Sequence, residues 1–541
     1  MADHTVLQES LEQQDNSVPF ESKKWTYVTD STSNGGVFNG QIQFDLNTLA
    51  SQNQWTDLSE AYVQFPVKLS INSLSTGAAT PTMYTATIKN GYHQFIDSVQ
   101  ITLGGTTVQS SQIFENINTT FKMLTNWSTD EFDKYGSTLG LSLDDYQEAI
   151  GANTPTSLDN IAATALALAG KGVAIPIINN QGYLERVRSN SSVVSTDTAK
   201  ALLGNNAAFT GKNQTQINAT GTVVALADVF VNFALATVRL KDISDVCAKL
   251  PLVKNTKGFI YINYNAAQSV AVYTSATAAT LTNSSIYGRC MPAMMNAIGL
   301  SPSGGETYTF KAEVSGIASS TLTTAQPTRP EARLYAPYFV ASPQVDRALS
   351  MKKTIRYQER FVTQFNVSAN GNFTGTLSPG ITNPKMVVLF PYLTASAGAA
   401  GLAAFLANPL LSPFDTVPST TSPFAGIQNL QITVGSVPMW QSAINMNFEA
   451  FLNEVAQLGF DGSLDSQTTS SGLLNERKWN QLYRYYACNV SRRLGADDGS
   501  SKSVQVSLTN STASAMTVVA WILYEKELTI ETALGTVSQG L

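Results

Sequence analysis

Short runs in which every second residue is apolar dominate the chain. In "GQIQFDL" (40–46), Ile42, Phe44 and Leu46 alternate with polar neighbours, the period of a half-buried strand. "AYVQFPVKLSI" (61–71) and "HQFIDSVQITLGG" (93–105) follow as strands, the latter ending in a Gly-Gly turn. The period then changes. In "SSQIFENINTTFKMLTNW" (110–127), Ile113, Ile117, Phe121 and Leu124 recur at three- and four-residue steps, which predicts an amphipathic helix. Strands resume at "GTVVALADVFVNFALATVRL" (221–240) and "GFIYINYN" (258–265), with a short helix or turn at 241–254. Residues 128–225 read as a long insertion, and the Ser/Thr/Ala/Gly-rich stretch 270–330 as a boundary or linker. "ARLYAPYFV" (332–340) and "TIRYQERFVTQFNVS" (354–368) restart the strand pattern, followed by the fully apolar "NPKMVVLFPYL" (383–393). A second amphipathic helix is expected in "AINMNFEAFLNEVAQLGF" (443–460), and "KSVQVSLTN" and "MTVVAWILYEKELTIET" read as closing strands.

Two of these segments repeat each other. "IDSVQITLGG" (96–105) and "IQNLQITVGS" (427–436) align at a constant offset of 331. Ile96, Val99, Ile101 and Leu103 fall on Ile427, Leu430, Ile432 and Val434. Without a gap, Ile113, Ile117, Phe121 and Leu124 fall on Ile444, Phe448, Leu452 and Val455, so the helix period is kept as well. Upstream, "EAYVQFPV" resembles "KMVVLFPY", each ending near Phe-Pro. A repeat this long implies two complete domains rather than a solenoid. About eight strands and one helix per half suit two face-to-face sheets with Greek-key connections. The expected fold is all-β with a few short helices: two tandem eight-stranded jelly rolls with long loop insertions. The expected boundaries are an N-terminal arm over 1–35, a first roll over 36–300 with an insertion at about 128–225, and a second roll over 301–541.

Composition narrows the function. The 541 residues suffice for several cores. Charged residues make up 13%, against about 25% in ordinary proteins. Neutral hydrogen-bonding side chains take their place, which suits repeated packing against other protein more than a lone soluble monomer. Net charge is −6, and no Lys/Arg run occurs. The first 40 residues carry six acids and two bases, Lys23 and Lys24, a sign that repels phosphate. Strong direct nucleic-acid binding is therefore not expected. The polar, acidic start does not read as a signal peptide. The apolar run 161–178 contains Lys171, Gly170, Gly172 and Pro176 and reads as a buried or interface loop rather than a membrane span.

Candidate chemistry is sparse, and no catalytic, cofactor-binding or metal-binding residue and no cofactor is assigned. His4 and His93 are the two histidines, and neither builds a triad. Cys247, Cys290 and Cys488 show no metal or disulfide spacing. "GKG" (170–172) lacks the rest of a phosphate loop, and "DDG" (497–499) the rest of a calcium loop. Arg492 and Arg493, beside Asp497 and Asp498, read as surface ion pairs. The Asn-x-Ser/Thr matches, such as Asn126 and Asn510, follow from composition. "YRYYA" (483–487) reads as a packed strand rather than a base-stacking platform.

In the order of its pieces the chain resembles the double jelly-roll major capsid proteins of icosahedral DNA viruses, the group of virophages, Polinton-like viruses and adenovirus hexons. The resemblance rests on "GQIQFDLNTLASQNQWTDLSEAYVQFPVKLSI", "GYHQFIDSVQITLGGTTVQ", "SPFAGIQNLQITVGSVP", "GLLNERKWNQLYRYYACNVSRRL", "SVQVSLTN" and "WILYEKELTIETALG". It covers about 36–265 and 332–535. The resemblance implies a structural, non-enzymatic protein that forms homotrimeric, pseudo-hexagonal capsomers in a virion assembled inside a host cell. Its implied partners are further copies, a penton or minor capsid protein, and in some such shells an internal membrane. Two other readings stay open at this point. One is a single jelly-roll capsid protein with a large projection, as in small circular single-stranded DNA viruses. The other is a β-rich adhesin or carbohydrate-binding surface protein.

Overall fold

The structure, a computed structural model, describes residues 19–73, 85–148, 228–275, 278–295, 306–318, 329–394, 408–413, 425–456, 470–491, 500–531 and 534–540, with short pieces near 178–186, 209–210 and 327. The first half contains β1 (Phe20–Thr29), β2 (Gln41–Asp45), β3 (Tyr62–Ser73), β4 (Ile96–Leu103), β5 (Thr106–Gln109), helix α1 (Glu115–Asn126), β6 (Asp228–Arg239) and β7 (Gly258–Tyr264). Three further strands follow, β8 (Ala266–Ser275), β9 (Ala278–Tyr287) and β10 (Glu306–Val314), and then β11 (Arg333–Ala341). A short helix, α2 (Pro343–Leu349), leads into the second half. There lie β12 (Lys352–Val367), β13 (Asn372–Ile381), β14 (Pro384–Leu393), β15 (Ile427–Val434), β16 (Val437–Pro438), helix α3 (Phe448–Ala456), β17 (Tyr486–Asn489), β18 (Lys502–Asn510), β19 (Met516–Glu531) and β20 (Thr536–Gly540).

Sheet order makes the repeat explicit. In the first half β1-β11-β3-β6 form one sheet and β2-β7-β4-β5 the other. In the second, β12-β19-β14-β17 and β13-β18-β15-β16 do the same. Leaving out the inserted β8–β10, the terminal β20 and the short two- to four-residue strands such as Trp55–Thr56 and Thr85–Ile88 that are not named above, and counting each half's remaining strands along the chain, both read 1-8-3-6 and 2-7-4-5. Two sheets of that order, joined by Greek-key connections, are a jelly roll, so the fold is a double jelly roll. A single sandwich with a projection is excluded as a description of this chain.

The repeated segments hold equivalent places. β4 and β15 are the fourth strands, and their bounds differ by 331 at both ends. Each turns through two residues with positive φ, Gly104 and Gly105 in one half, Gly435 and Ser436 in the other. That is the geometry of a two-residue hairpin whose twist matches its strands. Both amphipathic helices form, with Ile117, Phe121, Leu124, Phe448, Leu452 and Val455 all buried.

Pairing moves two of the expected boundaries. Phe20–Thr29, placed in the arm, is the first strand of the first roll, paired with β11 from Phe20↔Ala341 to Thr29↔Arg333. β11, read as the start of the second roll, is therefore the last strand of the first. The division lies at α2, between Ala341 and Lys352, not at residue 300. The stretch 270–330, read as linker, contains strands: β10 pairs with β3, and β8 lies between β10 and β9, extending the first sheet. Residues 1–18, and the run 161–178 except Ile178, lie outside the described residues.

Candidate functional site

The two rolls meet along a seam built from the segment between β5 and α1 on one side and from β12 and β19 on the other. Phe114, just before α1, has φ +60°, a conformation rare for a bulky residue. It is nonetheless buried. The turn it makes presents a row of carbonyls to one side chain. Arg360 donates Nη2 to Gln112 O at 2.7 Å, and Nη1 to Ile113 O at 2.8 Å and Phe114 O at 3.3 Å. The same guanidinium lies 2.7 Å from Glu115, and the two side chains are 6% and 2% exposed. Glu115 also accepts from Asn118 Nδ2 at 2.9 Å and Thr119 Oγ1 at 3.2 Å. Burial depresses the Arg360 pKa, opposed by Glu115. Arginine stays charged even so, and its fork suits several acceptors at once.

Next to it, Glu359 accepts from Ser110 N at 2.8 Å, from Ser110 Oγ, from Tyr524 OH at 3.1 Å and from Lys526. Burial alone would raise its pKa, but Lys526 and the Ser110 bonds outweigh burial and hold it below the usual value. Further bonds continue the seam. Tyr357 OH donates to Val108 O at 2.7 Å, Gln358 N to Asp245 Oδ2 at 2.6 Å, and Gln539 Nε2 to Thr107 O at 2.7 Å. Trp55 Nε1 and Lys254 Nζ both reach Asp346 Oδ1 on α2, at 2.7 and 3.0 Å. At a separate point, the buried Lys89 donates to Pro409 O at 2.8 Å and Leu410 O at 3.0 Å. Its pKa falls to about 8 through burial, against a pull upward from Cys290 and Asp144.

Apolar packing crosses the seam in both directions. Phe121 of α1 lies 5.3 Å from the Tyr485 ring and 5.9 Å from Trp521 of β19. Phe114, Ile117, Leu124 and Trp127 join the second roll's core with it. In return Tyr357, Leu528, Ile530 and Val537 complete the first roll's core. Residues 516–523 of β19 are consequently buried without alternation, as a strand covered on both faces must be. Each core thus includes side chains from the other half, and what this arrangement does chemically is bind two sandwiches into one body.

Among the described residues, the corresponding outer face of the first roll is left half-exposed. Trp25 and Tyr27 of β1 are 49% and 48% exposed. They join Tyr62 and Tyr335 in a ladder, with Trp25–Tyr62 at 5.7 Å, Tyr27–Tyr335 at 5.9 Å and Tyr62–Tyr335 stacked at 5.0 Å. Arg333 lies over the Tyr27 ring at 4.4 Å.

His93, expected to begin a strand, lies in a one-turn helix, Tyr92–Phe95, and is buried. It meets Thr120 Oγ1 at 2.8 Å, and burial lowers its pKa to about 3. Cys247, Cys290 and Cys488 are free and buried, and burial pushes the first two thiols up to about 12 and 11. No group of three or more His, Cys, Asp and Glu that could hold a metal occurs among the described residues. No helix among them is long and apolar enough to cross a membrane. Tyr483, Tyr485 and Tyr486 are all buried in the second core rather than alternating. His4, Arg492, Arg493, Asp497 and Asp498 lie outside the described residues. Arg360, Glu115 and Glu359 were not singled out from sequence, where they look like ordinary strand and helix charges. The apolar neighbours of Arg360 and Glu359, Phe361 and Val362, were the one available signal of burial.

No protein-family model matches the sequence, and no curated protein does. Solved structures of similar chain course span nearly its whole length. PBCV-1 VP54, fitted into a reconstruction of the virophage Sputnik, is 9% identical over 96% of this chain and 97% of its own, with a TM-score of 0.42. A chain of the Sputnik virophage structure is 12% identical over 97% and 89%, also at 0.42. The mavirus major capsid protein is 10% identical over 96% and 90%, at 0.38.

Proposed function

We propose that this chain is a major capsid protein whose work is assembly: three copies form a pseudo-hexagonal capsomer, and capsomers tile an icosahedral shell. The observation that carries the proposal is the same eight-strand order built twice and locked at a buried seam. Two like-shaped blocks in one rigid chain give three copies six blocks, which suits a hexagonal lattice. The low charge and neutral polar surface fit close repeated contacts. In this reading the protein is no enzyme, resides in the virion, and meets a penton or minor capsid protein at the lattice's special positions. An internal membrane is a further neighbour the reading accommodates, while tight contact with nucleic acid is not part of it.

Light scattering and negative-stain microscopy of the purified chain test this. The expected result is a particle of three times 58.0 kDa, with shells or sheets at higher concentration. A stable monomer at all concentrations overturns it.

A further inference from the structure

Resting on that reading, we infer that the aromatic face of β1, β11 and β3 is the docking face for residues 437–449 of a second copy, joined head to tail. Internal equivalence supplies the geometry. In the second roll, the outer face at Arg360, Leu523 and Met386, which lie abreast on β12, β19 and β14, is covered by Gln112–Glu115 and by α1. In the first roll Tyr27, Tyr335 and Tyr62 lie abreast on the equivalent strands, again at the start of the third strand. The element that would cover them is the segment 331 residues after Thr106–Asn118, namely Val437–Glu449. It belongs to the second roll, and within one chain it does not reach the first roll's outer face.

Both surfaces fit a protein partner. Val437 is 56% exposed, Gln441, Ser442 and Ala443 are exposed, and Met439, Trp440 and Ile444 are half-buried. From Val437 to Ala456 the chain carries two acids, Glu449 and Glu454, and no base. The opposite face carries Arg333 over Tyr27 and Arg329 over Tyr335. The sign matches the seam already formed, where an arginine of one roll meets a glutamate in the first turn of the other roll's helix. A contact between two different patches is heterologous and closes into a ring when its rotation permits.

The test uses the full chain in three arms. Trp25→Ser/Tyr27→Ser and, separately, Val437→Asp/Ala443→Asp should each reduce the oligomer's mass to that of the monomer, with the far-ultraviolet circular dichroism spectrum unchanged. Tyr27→Cys and Ala443→Cys, mixed under copper-phenanthroline oxidation, should give a disulfide dimer that neither gives alone. The native thiols are buried and should not contribute. If the oligomer survives both surface variants, this contact is wrong while the capsid proposal stands. Tyr27→Cys dimerising alone shows the face pairing with itself and overturns the inference. Retention of wild-type chain on immobilised glycans, lost in Trp25→Ser/Tyr27→Ser with mass unchanged, assigns the face to carbohydrate and overturns it too. A monomeric wild type removes the capsid proposal and this contact together.

Discussion

β11 and β19 are the eighth strands of their rolls, yet β19 is buried on both faces along Met516–Leu523 while β11 keeps a half-exposed face of Arg333 and Tyr335. Strand order does not distinguish them. What differs is that α1 of the first roll lies over the second, and among the described residues no equivalent helix lies over the first. The comparison separates what makes a sandwich from what makes two sandwiches one body: the first is written in each half, the second in a handful of cross-seam side chains.

The largest effect should come from breaking the cover at its charge. Arg360→Met leaves Glu115 buried without its cation, and should cost about 3–5 kcal/mol in denaturant unfolding. Adding Glu115→Gln should return part of that loss, a coupling that a double-mutant cycle measures. Phe121→Ala empties the apolar side of the same cover, at about 3–4 kcal/mol. Its counterpart Tyr27→Ala should move the isolated chain's stability by no more than about 0.5 kcal/mol. Equal losses for Phe121 and Tyr27 would erase the distinction between the two faces.

Acid probes the first roll near α1. His93 is neutral in the fold, with a pKa lowered to about 3 from 6.5, so the unfolded chain binds the extra proton between those values. Its contribution is complete above pH 6.5 and declines as pH falls towards 3, by about 2–3 kcal/mol at pH 4.5. His93→Gln should flatten that part of a stability-against-pH curve. The smallest contrast is between equivalent turns. Gly104 and Gly435 share positive φ, so alanine strains both. At Gly104 an added Cβ meets Gly535 O of the other roll at 3.0 Å, whereas at Gly435 it meets the movable Lys502 side chain at 3.2 Å. Gly104→Ala should therefore melt below Gly435→Ala by a degree or two.

The repeat was legible because period and offset are local properties of the sequence. β4, β15 and the two amphipathic helices formed where alternation and the three-to-four step placed them. β1 was missed because Glu21, Lys23 and Lys24 give it the polarity of a tail, although such charges suit an edge strand. β11 went to the wrong roll because its partners, Phe20–Thr29 and Tyr62–Gln64, lie about 270 to 320 residues upstream, beyond any local signal. β8–β10 looked like linker since strands rich in Ser, Thr and Ala lack strong alternation. The seam was illegible for another reason. Arg360 and Glu115 are 245 positions apart, and only the folded chain shows that each neutralises the other.

Sharing core residues also sets a clock on biosynthesis. Leu528, Ile530 and Val537 belong to the same core as Ile96 and Ile101, yet Leu528 leaves the ribosome 432 residues after Ile96. At 5–20 residues/s that is a delay of roughly 20 to 90 s during which the nascent first sandwich has a gap in its interior. The first sandwich is thus finished only once the second half has been made.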